Sequence, residues 1–255
     1  MQLAIDTSTE IASIALSDTD KVVAELTWHC GQNHTVELLP GVEYLCKLAK
    51  VSLQNLDGIV VARGPGSYNG LRVGLSTAKG LAFALGIPLV GIPTLEAEAF
   101  PFAATALPLC PIHEVGGGEL AMALYQYEQD EWRQLHEISL ATFEALCSRI
   151  ETKTLFCGEI SLSLEIKLRE RLGALAVIPE ATARLRRAGH LAQLGWRRLK
   201  RGDSDELHAL QPIYLRRPAI TQIRKRFPAP QEAPPAQEKD VPSPGENPGK
   251  VSNLD

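Results

Sequence analysis

Apolar and polar residues alternate in short runs at the start of the chain. Leu3 to Ile5, Ile11 to Leu16 and Lys21 to Thr27 read as three strands, with the polar stretch Asp6-Thr7-Ser8-Thr9-Glu10 turning the first into the second. The period then changes from two to three or four. Val36, Leu39, Val42, Leu45, Leu48 and Ala49 predict a helix that starts near His34 or Thr35, with Pro40 in its opening turns. Ile59 to Ala62 reads as a buried strand, Gly64-Pro65-Gly66-Ser67 as a turn, and the pattern after Tyr68 as a second helix. Pro88 to Ile92 adds a strand and Thr94 to Ala104 a helix.

The same order begins again near Leu107. Leu109 to Ile112, Glu119 to Tyr127 and Trp132 to Ser139 read as strands, Thr142 to Ile150 as a helix, Thr154 to Cys157 as a buried strand and Leu162 to Leu172 as a helix. A duplicated βββαβα architecture with a cleft between the halves follows, residues 1–104 forming one subdomain and 105–218 the other. Ala183 to Lys200 predicts one more helix, with Leu185, Ala188, Leu191, Ala192, Gly195 and Leu199 inward and its arginines mostly outward. Beyond it the chain turns basic over Arg216 to Arg226, then rich in Pro, Glu, Gly and Ser. Residues 219–255 therefore read as a disordered tail, too poor in apolar surface to offset the entropy of ordering.

The helix after Tyr68 has an unusual edge. Gly70, Gly74, Ala78 and Ala82 recur every four residues and share one face. Glycine inside a helix costs about 1 kcal/mol relative to alanine, so close packing must compensate. Leu71, Leu75, Leu81 and Leu85 supply an apolar flank for the chain's own sheet, which leaves the small-residue edge for an outside partner.

Composition narrows the classes of function. The net charge of -4 argues against strong stand-alone binding of nucleic acid, although Arg184, Arg186, Arg187, Arg197, Arg198, Lys200 and Arg201 cluster late in the chain. That cluster reads either as the solvated face of a helix or as part of an RNA surface assembled with a partner. The five cysteines form no Cys-x-x-Cys pair and read as small core residues of a reducing compartment. None of the six histidines forms a His-x-x-x-His pair. The opening residues reach Asp6 before any apolar signal region, and no run suits a bilayer, so a cytoplasmic location is expected.

Five motifs in order carry a family resemblance: Ala4-Ile-Asp-Thr-Ser-Thr-Glu10, Arg63-Gly-Pro-Gly-Ser67, Gly70-Leu-Arg-Val-Gly74, Ala78-Lys-Gly-Leu-Ala82 and Pro212-Ile-Tyr-Leu-Arg-Arg217. The chain resembles the bacterial TsaB (YeaZ) family from residue 1 to about 218, closely over the first hundred residues and loosely beyond. The resemblance implies an α/β chain with the actin-like ATPase fold (sugar kinase, Hsp70, actin; ribonuclease H-like). It implies a non-catalytic dimerisation and activating subunit for a TsaD-type transferase, which makes N6-threonylcarbamoyladenosine beside the tRNA anticodon. A TsaE-type ATPase belongs to the same complex. Self-pairing when alone, contact with tRNA only through the complex and no membrane partner complete the expectation.

Two positions where TsaD-like relatives carry metal-holding histidines are Thr94 and Glu98 here, a poor donor pair for a transition metal, so no metal is expected. The family's Asp-Ala-Arg after the first strand of the second half reads His113-Glu114-Val115-Gly116-Gly117-Gly118 in this chain, which looks like a flexible hairpin turn. Tyr68-Asn69 stands where the family has an aromatic-Thr pair, keeping a side chain able to cap a helix.

Together these assign a partner interface to Val36, Leu39, Tyr68, Gly70, Arg72, Val73, Gly74, Thr77, Ala78 and Ala82, and no catalytic residue. Asp6, Thr7 and Ser8 stand where kinases of this fold cradle phosphate, and Gly64, Gly66 and Ser67 precede a helix N-terminus. That leaves room for weak or shared ATP or ADP binding, although Ser8 stands where glycine is often found and the Gly64-Pro65-Gly66-Ser67 loop matches neither the P-loop nor the dinucleotide motif. The rival reading is a stand-alone ATPase or small-molecule kinase of the same fold.

Overall fold

The computed structural model describes residues 1–19, 21–129 and 131–216. The tail assigned to 219–255 lies outside them, as does Arg217 of the last motif. In the first sheet, strands β1 (Gln2–Asp6), β2 (Ile11–Asp18) and β3 (Lys21–His29) run antiparallel. Strands β4 (Gly58–Ala62) and β5 (Leu89–Ile92) join in parallel on the far side of β1, giving the order β3-β2-β1-β4-β5.

Strand alternation divides the inner strands between two cores. Leu3, Ile5, Ile14, Leu16, Ile59 and Val61 meet helices α1 (His34–Ala49) and α2 (Tyr68–Leu85) on one face. Ala4, Ala15, Val60 and Val90 meet α6 (Ala188–Leu199) on the other. Because both faces are covered, β1 and β4 are buried along their whole length.

The second sheet repeats the plan. Strands β6 (Leu109–Val115), β7 (Glu119–Glu128) and β8 (Glu131–Thr142) run antiparallel, and β9 (Thr154–Glu159) and β10 (Ala176–Val177) add in parallel, in the order β10-β9-β6-β7-β8. Helices α4 (Phe143–Cys147) and α5 (Leu162–Leu172) cover one face, and α3 (Thr94–Ala99) packs on the other. The two-residue β10 is the counterpart of β5 and too short to show alternation in the sequence.

Three segments differ from the sequence expectation. The helix over 94–104 ends at Ala99 and continues as a 3-10 turn from Phe100 to Thr105, since Pro101 cannot donate to the ladder. The helix over 142–150 stops at Cys147. The helix over 183–200 begins only at Ala188. Although α6 follows the second sheet in the chain, it lies on the first. Gly195 permits that approach, for a Cβ there would stand 2.2 Å from Val60. The chain after α6 also returns to the first sheet, with Asp205 donating to the Leu89 carbonyl and Ile213 to that of Arg63.

Candidate functional site

The small-residue edge of α2 faces inward. A Cβ on Gly70 would lie 2.1 Å from the Thr7 carbonyl oxygen and one on Gly74 2.2 Å from Thr7 Oγ1, while Ala78 and Ala82 are buried in the core beneath. Thr7 Oγ1 donates to the Gly70 carbonyl at 2.7 Å, which ties the β1–β2 turn to the helix start. Gly70, Gly74, Ala78 and Ala82 therefore leave the partner-interface set. The glycines are compensated by contact with the chain's own turn, not with a second molecule. A large side chain at Gly74 would strain that turn before it reached any partner.

The turn is tied down from within and from the neighbouring loop over 64–67. The Ser8 amide and hydroxyl both donate to Asp6 Oδ1, and the Ser67 amide donates to the Ser8 carbonyl at 2.6 Å. Gly66 is required there, because a Cβ would sit 2.2 Å from that same carbonyl oxygen. Ser67 caps α2 by accepting from the Gly70 amide at 3.3 Å, so the cap is Ser67 and not Asn69. Gly64 adopts φ +102° with its amide donating to Thr94 Oγ1.

Arg186 fills the space behind the turn. Its Nε lies 2.9 Å from Asp6 Oδ2, its Nη1 3.4 Å from Glu98 Oε1 and 3.5 Å from Glu159 Oε1, and its Nη2 donates to the Ile11 carbonyl at 2.7 Å and to Thr9 Oγ1. The Asp6 contact is an ion pair approached off the hydrogen-bond axis. Glu98 Oε2 is held in turn by His113 Nε2 at 2.7 Å. Burial pulls the His113 pKa down, but the Glu98 carboxylate beside it outweighs that and the net shift is upward. The same carboxylates hold the buried guanidinium charged against its own desolvation. A clasp of Asp6, Glu98, His113, Glu159 and Arg186 thus joins residues of both sheets across the cleft. Arg186, expected on an outward helix face, is 3% exposed and central to it.

The Ser8 amide and hydroxyl are spent inside the loop, and Asp6, Glu98 and Glu159 bring three carboxylates to the cleft around Arg186. Thr94 and Glu98 are committed to Gly64, His113 and Arg186. Among the described residues, no group of three or more His, Cys, Asp or Glu side chains could hold a metal ion. All five cysteines are free and buried, and burial pushes the Cys30 thiol up to about 11, far from a nucleophile's range. His34 is buried at the start of α1, donating from Nε2 to the Thr9 carbonyl.

The outer face of α1 and α2 contrasts with the cleft. Val36 and Leu39 are 69% and 53% exposed, Arg72 is exposed, and Tyr68, Val73 and Thr77 are half-buried. Phe83 on α2 is 75% exposed. Beside Leu39 a groove of about 580 Å³ runs between the helices, lined by Val42, Cys46, Leu53 and Leu81. The last motif packs at the start of α2: Tyr214 lies 5.1 Å from the Tyr68 ring and accepts from Arg72 Nε, whose guanidinium covers Tyr68 at 3.9 Å. No helix among the described residues is long and apolar enough to cross a membrane.

Two sheets of matching strand order, with helices on their faces and their hairpin turns meeting across a cleft, define an actin-like ATPase fold. Within it Asp6, Glu98, His113, Glu159 and Arg186 form an internal clasp. A family model described as TsaD, tRNA N6-adenosine threonylcarbamoyltransferase, matches residues 28–222. The chain is 33% identical over 217 residues to the tRNA threonylcarbamoyladenosine biosynthesis protein TsaB of Bacillus subtilis, covering 84% of this chain and 93% of that protein. It is 39% identical over 97 residues to the Escherichia coli protein of the same name, 38% of this chain and 42% of that one. The solved structure of YeaZ from Pseudomonas aeruginosa superposes with a TM-score of 0.70 at 27% identity, over 84% of this chain and 99% of that one. The chain belongs to the TsaB (YeaZ) family.

Proposed function

We propose that this protein works in tRNA threonylcarbamoyladenosine biosynthesis as a scaffold that docks a TsaD-type transferase on the outer face of α1 and α2 and leaves the chemistry to that partner. The observation that carries the reading is the exposure of Val36, Leu39 and Phe83 on two adjacent helices. Apolar side chains this open on neighbouring surfaces gain free energy when a partner covers them. By binding only the competent form of the transferase, the chain raises that form's population in proportion to its differential affinity. The same face would serve self-pairing when the transferase is absent, and a TsaE-type ATPase would join the pair. Nucleotide turnover by the chain alone is disfavoured by the carboxylates and spent donors of the cleft.

The test is reconstitution with the transferase of the same organism. Mass measurement should find a heteromeric complex, tRNA modification should need both proteins, and the isolated chain should modify no tRNA and release no phosphate from ATP with magnesium. Magnesium-dependent ATP hydrolysis by the isolated chain would favour the stand-alone ATPase or kinase instead.

A further inference from the structure

On the opposite face of the first sheet from α1 and α2, the end of α6 stands beside the β7–β8 hairpin, and a groove of about 800 Å³ opens between them. Tyr127 of the hairpin and Trp196 of α6 contribute aromatic surface beside Trp132, whose ring already packs on Tyr125 and against Phe100, over a floor that includes Gly91 and Pro93. Arg197, Lys200 and Arg201 line the same groove. Arg198 is committed elsewhere, gripping Asp203, Asp205 and the Gly91 carbonyl. Its three neighbours make no ion pair among the described residues. Arg197 lies over the Phe100 ring at 4.7 Å and Lys200 over Trp196 at 4.9 Å.

Among the described residues two carboxylates also line the groove, and both are engaged. Glu131 pairs with Arg133 at 2.7 Å, and Glu96 accepts from Trp132 Nε1 at 3.1 Å. In a chain of net charge -4, three unneutralised cations set among aromatic rings form a local reversal of sign. Cations that meet phosphates and rings on which bases stack are the two elements of a site for single-stranded RNA.

We propose that this groove receives an unpaired stretch of the tRNA while the transferase occupies the α1–α2 face, an inference that rests on the tRNA-modification reading above. The groove and the docking face lie on opposite sides of the sheet, so both can be filled at once. The chain's overall negative charge makes the contact a contribution to a shared surface and not a binding site sufficient alone.

The experiment uses the full chain in complex with its transferase, unmodified tRNA as the probe, and the paired changes Lys200→Glu with Arg201→Glu. Lys200→Gln with Arg201→Gln is a milder second variant, in case charge reversal disturbs folding. The tRNA affinity of the complex should fall by roughly tenfold or more at low salt, and the slope of log affinity against log salt should flatten by about 1–2, since each lost phosphate contact on a single strand removes about 0.7. Transferase affinity should not change. Unaltered tRNA affinity and slope in both variants would overturn the proposal, as would loss of affinity for the complex's ATPase with tRNA binding intact, which would make the groove a protein site. Loss of transferase binding would overturn it too, by moving the protein interface onto the groove, whereas failure of the docking face alone shows as lost transferase binding in variants of α1.

Discussion

The two sides of α2 carry the same residue type in opposite circumstances. Gly70 and Gly74 press against Thr7 so closely that a Cβ would overlap it, while Gly80, nearly two turns beyond Gly74, has nothing within 4 Å. Inside, the Thr7 and Ser8 hydroxyls donate within the chain and the Asp6 carboxylate is paired with Arg186. Outside, Val36, Leu39 and Phe83 have none among the described residues. Small residues spaced every four along a helix report close approach without saying to what. The free surface of this fold is marked by exposed apolar side chains, not by glycine.

The largest effect belongs to the clasp. Arg186→Met would leave Asp6 buried without its cation and Glu98 with His113 alone, and should destabilise the fold by about 3–5 kcal/mol, read from urea unfolding. A loss under about 1 kcal/mol would mean the cleft is less closed than its contacts imply. Next comes Gly70→Ala, whose new methyl meets backbone at Thr7 and should cost about 1–3 kcal/mol. If that variant kept wild-type stability yet lost the transferase, the inward assignment of the glycine edge would be wrong.

The clasp should also show a pH signature. The His113 pKa lies above its ordinary 6.5 in the fold, so its contribution is complete below about pH 6.5 and is lost as pH rises through the folded value. The melting temperature should therefore decline on the alkaline side of that window, and His113→Gln should abolish the decline. Glu98, Glu159 and Arg186 are the charged groups around it. The smallest change is Gly80→Ala, which meets open space and should stabilise α2 by about 0.5–1 kcal/mol. Weaker transferase binding by the same variant would extend the docking face to Gly80.

The order of strands and helices was legible in the sequence because strand alternation, helical period and Gly-Pro turns are local signals. The partners of the glycine edge were not. A helix with Leu71, Leu75 and Leu81 flanking Gly70 and Gly74 offers two apolar sides, and which one meets Thr7 depends on a contact more than sixty residues away in the chain. Arg186 was hidden for a related reason. It lies among other arginines in a segment whose pattern reads as an outward helix face, and its partners Asp6 and Glu98 are brought to it only by the folding of both sheets. Because α6 begins only at Ala188, Arg186 lies ahead of the helix and not on a helical surface. Val36 and Leu39 stand open on the outer face, whereas Gly70, Gly74, Ala78 and Ala82 are buried against the chain's own sheet and turn.

The most direct measurement is the affinity of a Val36→Asp, Leu39→Asp double variant for the transferase of the same organism, by titration calorimetry, alongside its thermal unfolding. Both side chains are already open to water, so the melting temperature should stay within a few degrees of wild type. Two buried charges at a docking face should cost ~2 kcal/mol or more, roughly a thirtyfold loss of affinity. Wild-type affinity in a folded double variant would contradict the assignment of this face.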